Sequence, residues 1–118
     1  GALKDIYQTV LEAHEMALDA VRPSAVCEAV DKIARDFIEA RYPGSFGHAL
    51  GHGVGLDIHE QPRLGRGDAT VLRPGYVVTI EPGIYISGLG GCRIEDMAIL
   101  TSDGYIDPID APKQLIEL

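Results

Sequence analysis

The spacing of apolar residues changes from a helical to a strand-like period near residue 45. In residues 3–21 apolar side chains recur at intervals of three and four, which predicts an amphipathic helix. Arg22-Pro23 ends it, because the residue before a proline is pushed out of helical geometry. Ser24 is a suitable N-cap for a second helix that runs to about Ala40. The two apolar stripes are Leu3, Ile6, Tyr7, Val10, Leu11, Ala17, Leu18 and Val21, then Val26, Ala29, Val30, Ile33 and Phe37.

The remainder of the chain predicts strands and turns. Interleaved glycines disfavour a helix after residue 46, and apolar alternation begins around Val54. Residues 61–75 form a polar loop, and residues 76–86 are rich in β-branched and aromatic side chains, which indicates a strand. Residues 87–91 predict a hairpin loop, and residues 92–100 the returning strand. The order predicts an α+β fold in which two helices pack on an antiparallel sheet.

Composition excludes some partners. The chain has 118 residues, enough for one small domain with a single core. Its net charge of −8 argues against nucleic-acid or anionic-membrane partners, which require clustered Lys and Arg. No apolar run approaches the ~20 residues needed to span a bilayer. Two cysteines, Cys27 and Cys92, are few for a disulfide framework, so we expect free thiols and a cytoplasmic location.

Three of the four histidines, His48, His52 and His59, fall within twelve residues. A helical i, i+4 metal pair is disfavoured by the glycines between them. On a strand, His48 and His52 would point the same way, because an even offset preserves the face. His59 would join them only through a bend, which Gly53 or Gly55 could supply. The alternative is that all three are loop histidines on a glycine-rich surface turn.

Two glutamates, Glu81 and Glu95, are each seven residues from Gly88, the centre of the predicted hairpin loop. A symmetric hairpin therefore places them opposite each other, with Cβ atoms about 4.5–5.5 Å apart. Carboxylates that close repel unless one is protonated or a cation lies between them. Alternatively both face solvent, or they form an acid/base pair without metal, for which separations of about 5–9 Å are typical.

A histidine with two carboxylates suits a divalent Mn, Fe, Co or Zn ion. Three such ligands are sufficient for one ion and few for two. The segments that carry them, residues 47–60, 77–83 and 92–96, resemble the pita-bread (M24-type, creatinase/aminopeptidase) metallopeptidases. That family contains methionine aminopeptidase, aminopeptidase P, prolidase and creatinase. The resemblance covers nearly the whole chain, and its His-Glu-Gln-Pro-Arg run at 59–63 is most similar to prolidase, the Xaa-Pro dipeptidase.

This resemblance implies the C-terminal half of a pita-bread fold and a set of metal ligands. His52 matches a metal-binding histidine, and Glu95 matches the carboxylate that bridges two metal ions. Glu81 matches a further ligand that is also a candidate general base. In the family two aspartate ligands come from strands before the first helix, and Asp5 and Asp19 do not match them. We therefore expect residues 1–118 to be the C-terminal portion of a longer catalytic domain.

The resemblance also implies residues that act on the substrate. His59 matches a catalytic histidine that contacts the substrate and stabilises the tetrahedral intermediate, and His48 matches a further active-site histidine. Arg63 matches an arginine that holds the substrate's terminal carboxylate. Arg93 matches a buried arginine that supports the metal-binding carboxylates; a simple salt bridge at a strand edge is the alternative.

The implied parent enzyme uses two divalent metal ions, Mn, Co, Fe or Zn, to hydrolyse peptides that contain an Xaa-Pro bond. We expect the 118-residue chain alone to be inactive and to self-associate through an exposed sheet edge. Two other functions remain open at this point. One is a metal-free binding module, and the other is a creatinase-like amidinohydrolase.

Overall fold

The computed structural model describes residues 1–54 and 62–107. Two helices come first, followed by short strands, and every strand pair among these residues is antiparallel, which confirms the predicted α+β class. The elements are α1 (Ala2–Ala20), α2 (Cys27–Arg41), β1 (Gly51–His52), β2 (Arg63–Leu64), β3 (Val77–Ile80), β4 (Gly83–Ile86), β5 (Gly90–Arg93), β6 (Asp96–Leu100) and β7 (Tyr105–Ile106). Neither helix in the described ranges is both long and apolar enough to cross a membrane.

The apolar faces of both helices and of the strands share one core. Strands β3, β6 and β7 form a three-stranded sheet in the order β3-β6-β7, while β4 pairs with β5 and β1 with β2. A bridge between Gly53 and Val78 connects the β1 segment to β3. Core side chains that are fully buried include Ile6, Val10, Ala34, Ile38, Leu50, Leu64, Leu72, Val78, Ile80 and Ile84.

The start of α2 differs from the prediction. Ser24 has φ +80°, and the helix begins only at Cys27, so the predicted Ser24 N-cap is wrong. The first free amides of the helix are satisfied from another part of the chain. The Cys27 amide donates to the Thr70 carbonyl at 2.9 Å, and the Glu28 amide donates to the Asp68 carbonyl at 2.9 Å. Because a distant loop supplies these acceptors, the helix does not need a side-chain cap.

The predicted strand 76–86 is divided into β3 and β4 at Glu81-Pro82. Proline has no N–H to donate to a ladder, and the strand pairing is interrupted there. The register on both sides is the predicted one, with Ile80 opposite Asp96 and Gly83 opposite Arg93. The two ladders therefore confirm the hairpin symmetry, which sets Glu81 and Glu95 at opposed positions within the break.

Candidate active site

A cavity of about 670 Å³ lies between the 47–52 segment, the start of β2 and the ends of β3 and β5. Five of the residues predicted to be functional line it: His48, His52, Arg63, Glu81 and Arg93. They come from segments far apart in the sequence, so the fold brings together what the sequence motifs could only suggest. The cavity combines imidazole, carboxylate and guanidinium groups, a set suited to binding and cleaving a polar substrate.

One predicted residue of the described part, Glu95, does not line this cavity. Glu95 is exposed and faces the Glu81 position across the strand break, outside the cavity. His59 lies outside the described residues. In the described ranges no three His, Cys, Asp or Glu side chains are close enough together to hold a metal ion. His52, Glu81 and Glu95 therefore do not form a closed cluster here.

Arg93 does not have the predicted buried environment. It is the last residue of β5, which pairs only with β4 in the described sheets, and its side chain is exposed. None of the ion pairs found between described residues includes it. Arg93 is therefore exposed within the described residues rather than buried as expected, although β5 pairs with β4 and contacts α1. Arg93 nevertheless lines the same cavity as Glu81.

His52 has the hydrogen bonding that a metal ligand requires. Its Nδ1 lies 2.9 Å from the carbonyl oxygen of Gly53. A carbonyl only accepts, so Nδ1 carries the hydrogen and Nε2 keeps its lone pair. Metal-binding histidines are commonly held in this way through the second ring nitrogen. The His52 amide also donates to Thr79 Oγ1 at 3.0 Å, which fixes the residue against β3.

His48 is held at both ring nitrogens. Nδ1 lies 2.7 Å from the carbonyl oxygen of Ala49, and Nε2 lies 2.9 Å from the hydroxyl of Tyr85. Because Nδ1 must donate to the carbonyl, the neutral imidazole accepts the Tyr85 hydroxyl proton at Nε2. The edge of the ring packs on Phe46, with centroids 5.0 Å apart and planes at 87°. Tyr85 and Phe46 were not among the predicted site residues.

The Tyr85 ring fits against β4 and β5 because glycines flank it. A Cβ atom at Gly91 would lie 2.7 Å from Tyr85 Cδ1, and one at Gly83 would lie 2.6 Å from its hydroxyl oxygen. Such contacts are far below van der Waals distance, so side chains at either position would displace the ring. Gly83, in the Pro-Gly pair that follows Glu81, therefore leaves room for the Tyr85 ring, whose hydroxyl bonds to His48.

Asp68 holds the backbone at Arg63. Its carboxylate accepts the Arg63 amide at 2.8 Å and the Thr70 amide at 2.9 Å. Burial would raise the pKa of Asp68, but hydrogen bonds from Thr70 and Arg63 together with the Arg63 charge bring the pKa below its ordinary value. The loop between β2 and β3 is thus tied to the residue that we expect to bind the substrate.

Asp96, the residue after Glu95, contacts a histidine of α1. Asp96 Oδ2 lies 3.4 Å from Nε2 of His14, and both side chains are fully buried. His14 is the one histidine outside the predicted cluster. The contact connects the first helix to the strand that begins directly after Glu95.

Comparisons with known proteins agree with the motifs. Residues 1–102 match the sequence model of metallopeptidase family M24. An Xaa-Pro dipeptidase of Pyrococcus furiosus is 52% identical over 102 residues, which are 86% of this chain and 29% of that protein. The crystal structure of the prolidase from Pyrococcus horikoshii OT3 superposes with a TM-score of 0.89 at 47% identity, over 96% of this chain and 33% of that one.

A third relative has the same coverage. The solved Xaa-Pro dipeptidase from Bacillus anthracis gives a TM-score of 0.91 at 47% identity, over 99% of this chain and 33% of its own. The chain therefore spans about a third of the length of the relatives that it matches.

Proposed function

The chain belongs to metallopeptidase family M24, and from this premise we propose that the full-length protein hydrolyses Xaa-Pro peptides in a metal-dependent reaction. Its helices and antiparallel strands are the C-terminal half of a pita-bread fold, as the motifs implied. The observation that carries the proposal is the shared cavity of His48, His52, Arg63 and Glu81. The Xaa-Pro dipeptidases to which the chain is similar support the choice of substrate.

The residues present fit part of a metal centre. The unprotonated Nε2 of His52 and the carboxylates of Glu81 and Glu95 are the nitrogen and oxygen donors that Mn, Co, Fe or Zn ions accept. We propose that they hold two divalent ions together with two aspartates from the rest of the full-length protein. When bound, such ions lower the pKa of a water molecule and make it a nucleophile near neutral pH.

The protein side chains then have separate tasks. Glu81 takes the proton of the attacking water and delivers it to the proline nitrogen as the peptide bond breaks. Arg63 binds the carboxylate of the substrate, and its backbone is held in place by Asp68. His59 donates a hydrogen bond to the carbonyl oxygen as negative charge develops on it. His48 is a further active-site histidine, whose Nε2 accepts the Tyr85 hydroxyl proton at the cavity wall. Arg93, which lines the same cavity, supports the metal-binding carboxylates. The products are an amino acid and proline, or a shortened peptide.

We propose no appreciable activity for the 118-residue chain by itself. One histidine and two carboxylates are too few donors for two ions, and no three such groups are gathered in the described residues. A cytoplasmic location is part of the proposal, supported by free thiols at Cys27 and Cys92. The negative net charge supports a peptide substrate over a nucleic acid.

The experiment is hydrolysis by the purified full-length protein after loading with Mn or Co. Substrates are an Xaa-Pro dipeptide, the matching Xaa-Ala dipeptide and creatine. We expect cleavage of the Xaa-Pro bond only, and a loss of about 10²–10⁴-fold in kcat for Glu81→Gln. Glu15→Gln, which changes an exposed carboxylate on α1, is the matched control and should leave kcat unchanged. Metal-independent cleavage of creatine would favour the amidinohydrolase, and no turnover of any substrate would favour a binding module.

A further inference from the structure

Asp31 and Arg35 form a buried ion pair on the inner face of α2. Arg35 Nε donates to Asp31 Oδ2 at 2.9 Å, and Arg35 Nη2 donates to Asp31 Oδ1 at 3.0 Å. Both side chains are buried, and their spacing of four residues lets the two planar groups meet in a parallel, two-point contact. We call this pair the α2 clamp.

The remaining hydrogen-bonding capacity of the α2 clamp is directed at residues 46–50. Arg35 Nη1 donates to the Phe46 carbonyl at 2.9 Å, and Nη2 donates to the His48 carbonyl at 2.8 Å. Asp31 Oδ1 accepts the Leu50 amide at 3.0 Å. The three backbone groups belong to alternate residues, which is the pattern that an adjacent β-strand would satisfy. The side-chain pair therefore takes the place of a neighbouring strand along this segment.

The α2 clamp is also connected to the ring of His48, through the Phe46 ring that lies between them. The guanidinium carbon of Arg35 lies 4.3 Å from the centre of the Phe46 ring, and Phe46 meets His48 edge-on. The backbone of His48 and its imidazole are thus both held from the same arginine. Leu50 continues the connection, because its carbonyl accepts the amide of Glu81 at 2.6 Å.

Another ion pair on the same helix shows what is unusual about this one. Lys32 and Asp36 have the same spacing of four residues, but their side chains are 72% and 62% exposed. Exposed ion pairs contribute little to folding stability. In a buried pair, the free-energy cost of removing both charges from water is about as large as the gain from their attraction. A buried pair is therefore a costly way to stabilise a helix, and its four contacts with residues 46–50 account better for its presence.

We propose that Asp31 and Arg35 are positioning residues, which set the His48 imidazole at the orientation needed for the reaction. This inference rests on the proposed function, since it assigns His48 a role in turnover. It predicts that the α2 clamp acts on kcat more than on substrate affinity, because neither residue lines the cavity. It also predicts that the environment of the His48 ring changes when the clamp is altered, in the absence of any substrate.

The test uses three variants of the full-length protein. Arg35→Lys keeps the charge but loses the fork that reaches Phe46 and His48. Asp31→Asn combined with Arg35→Met removes both charges, so no ion is left buried, while the asparagine oxygen can still accept the Leu50 amide. Lys32→Met is the matched control on the same helix. Folding is checked by circular dichroism and thermal unfolding, and kcat is expressed per folded molecule.

We expect kcat to fall by at least about tenfold in both clamp variants, with KM changed by less than about threefold, and Lys32→Met to behave as wild type. The second readout is the imidazole signals of His48 in the zinc-loaded, ¹³C-histidine-labelled protein, assigned with His48→Gln. These signals should shift in the clamp variants and stay in place in Lys32→Met.

The two readouts separate this inference from the proposed function. Absence of Xaa-Pro hydrolysis in the wild-type protein overturns the proposed function. In that case the His48 signals alone test whether the α2 clamp fixes the orientation of the imidazole. Folded clamp variants with unshifted His48 signals overturn the inference, as does a loss of kcat matched by Lys32→Met. Failure of both clamp variants to fold also counts against it, because the pair would then be a requirement of the fold.

Discussion

Gly51 packs so closely against Thr79 that a Cβ atom at position 51 would lie 1.8 Å from the Thr79 carbonyl oxygen. The obstacle is backbone, which cannot rotate away as a flexible side chain could. The next residue, His52, is bonded to Thr79 through its amide. A change at Gly51 therefore separates β1 from β3 and moves a proposed metal ligand.

Gly51→Ala should lower the free energy of unfolding by about 3 kcal/mol, since overpacking of this kind forces the backbone to shift. Gly47→Ala is the control, because a Cβ at Gly47 would meet nothing within 4 Å, and it should stay within about 0.5 kcal/mol of wild type. Urea unfolding of the full-length proteins measures both. Equal stability of the two variants would refute the close packing of β1 on β3.

Asp68 makes the stability of the β2–β3 loop dependent on pH. Hydrogen bonds and the Arg63 charge outweigh burial and lower its folded pKa below the ordinary 3.8. The stabilisation is therefore complete above about pH 3.8 and is lost as pH falls through the lower, folded pKa. Asp68→Asn should cost about 1 kcal/mol at pH 7, from urea unfolding, and progressively less below pH 3.8. Asp19→Asn, at an exposed position of α1, should show no such trend; a pH-independent cost of Asp68→Asn would contradict this account.

The Cys27 thiol should be nearly unreactive while the protein is folded. Burial, with a smaller effect of the Asp68 charge, raises its pKa from 9.0 to about 11. Only the thiolate reacts, so alkylation at pH 8 should be about 100-fold slower than in the urea-unfolded protein. Mass spectrometry of the Cys27 peptide after timed exposure to iodoacetamide gives the rate. Similar rates in the folded and unfolded protein would show that Cys27 is not buried.

The 118-residue chain should self-associate. In the described sheet β7 lies at the edge, and Ile106 on it is 58% exposed. An edge strand with an exposed apolar side chain favours pairing with a second chain. Light scattering should show dimers or larger species that decrease in Ile106→Lys. Ile33→Lys, a similar change on α2, should leave them in place, and a monodisperse wild-type monomer would contradict the prediction.

Much of the fold could be predicted because local patterns determine it. The stripe from Leu3 to Val21 identified α1, and the symmetry about Gly88 placed Glu81 opposite Glu95. The N-terminus of α2 could not be predicted. Its amides are satisfied by carbonyls of residues 68 and 70, about forty residues away, and a local rule selects Ser24 instead.

For the candidate site, too, the sequence indicates some residues and not others. The motifs select His48, His52, Arg63 and Glu81 as candidates, and only the fold shows that they line one cavity. Asp31 and Arg35 were not found, because the sequence shows an equally spaced pair at 32 and 36 and nothing in the spacing tells which is buried. Arg93 was expected to be buried, but burial depends on which elements cover β5.

The metal content of the full-length protein tests the central claim most directly. The protein is loaded with Mn, desalted and measured by elemental analysis, as wild type, His52→Ala and the exposed-site control Glu15→Gln. We expect about two ions per chain in wild type and in Glu15→Gln, and at most one in His52→Ala, because His52 supplies the nitrogen ligand. Equal metal content in wild type and His52→Ala would contradict the central claim.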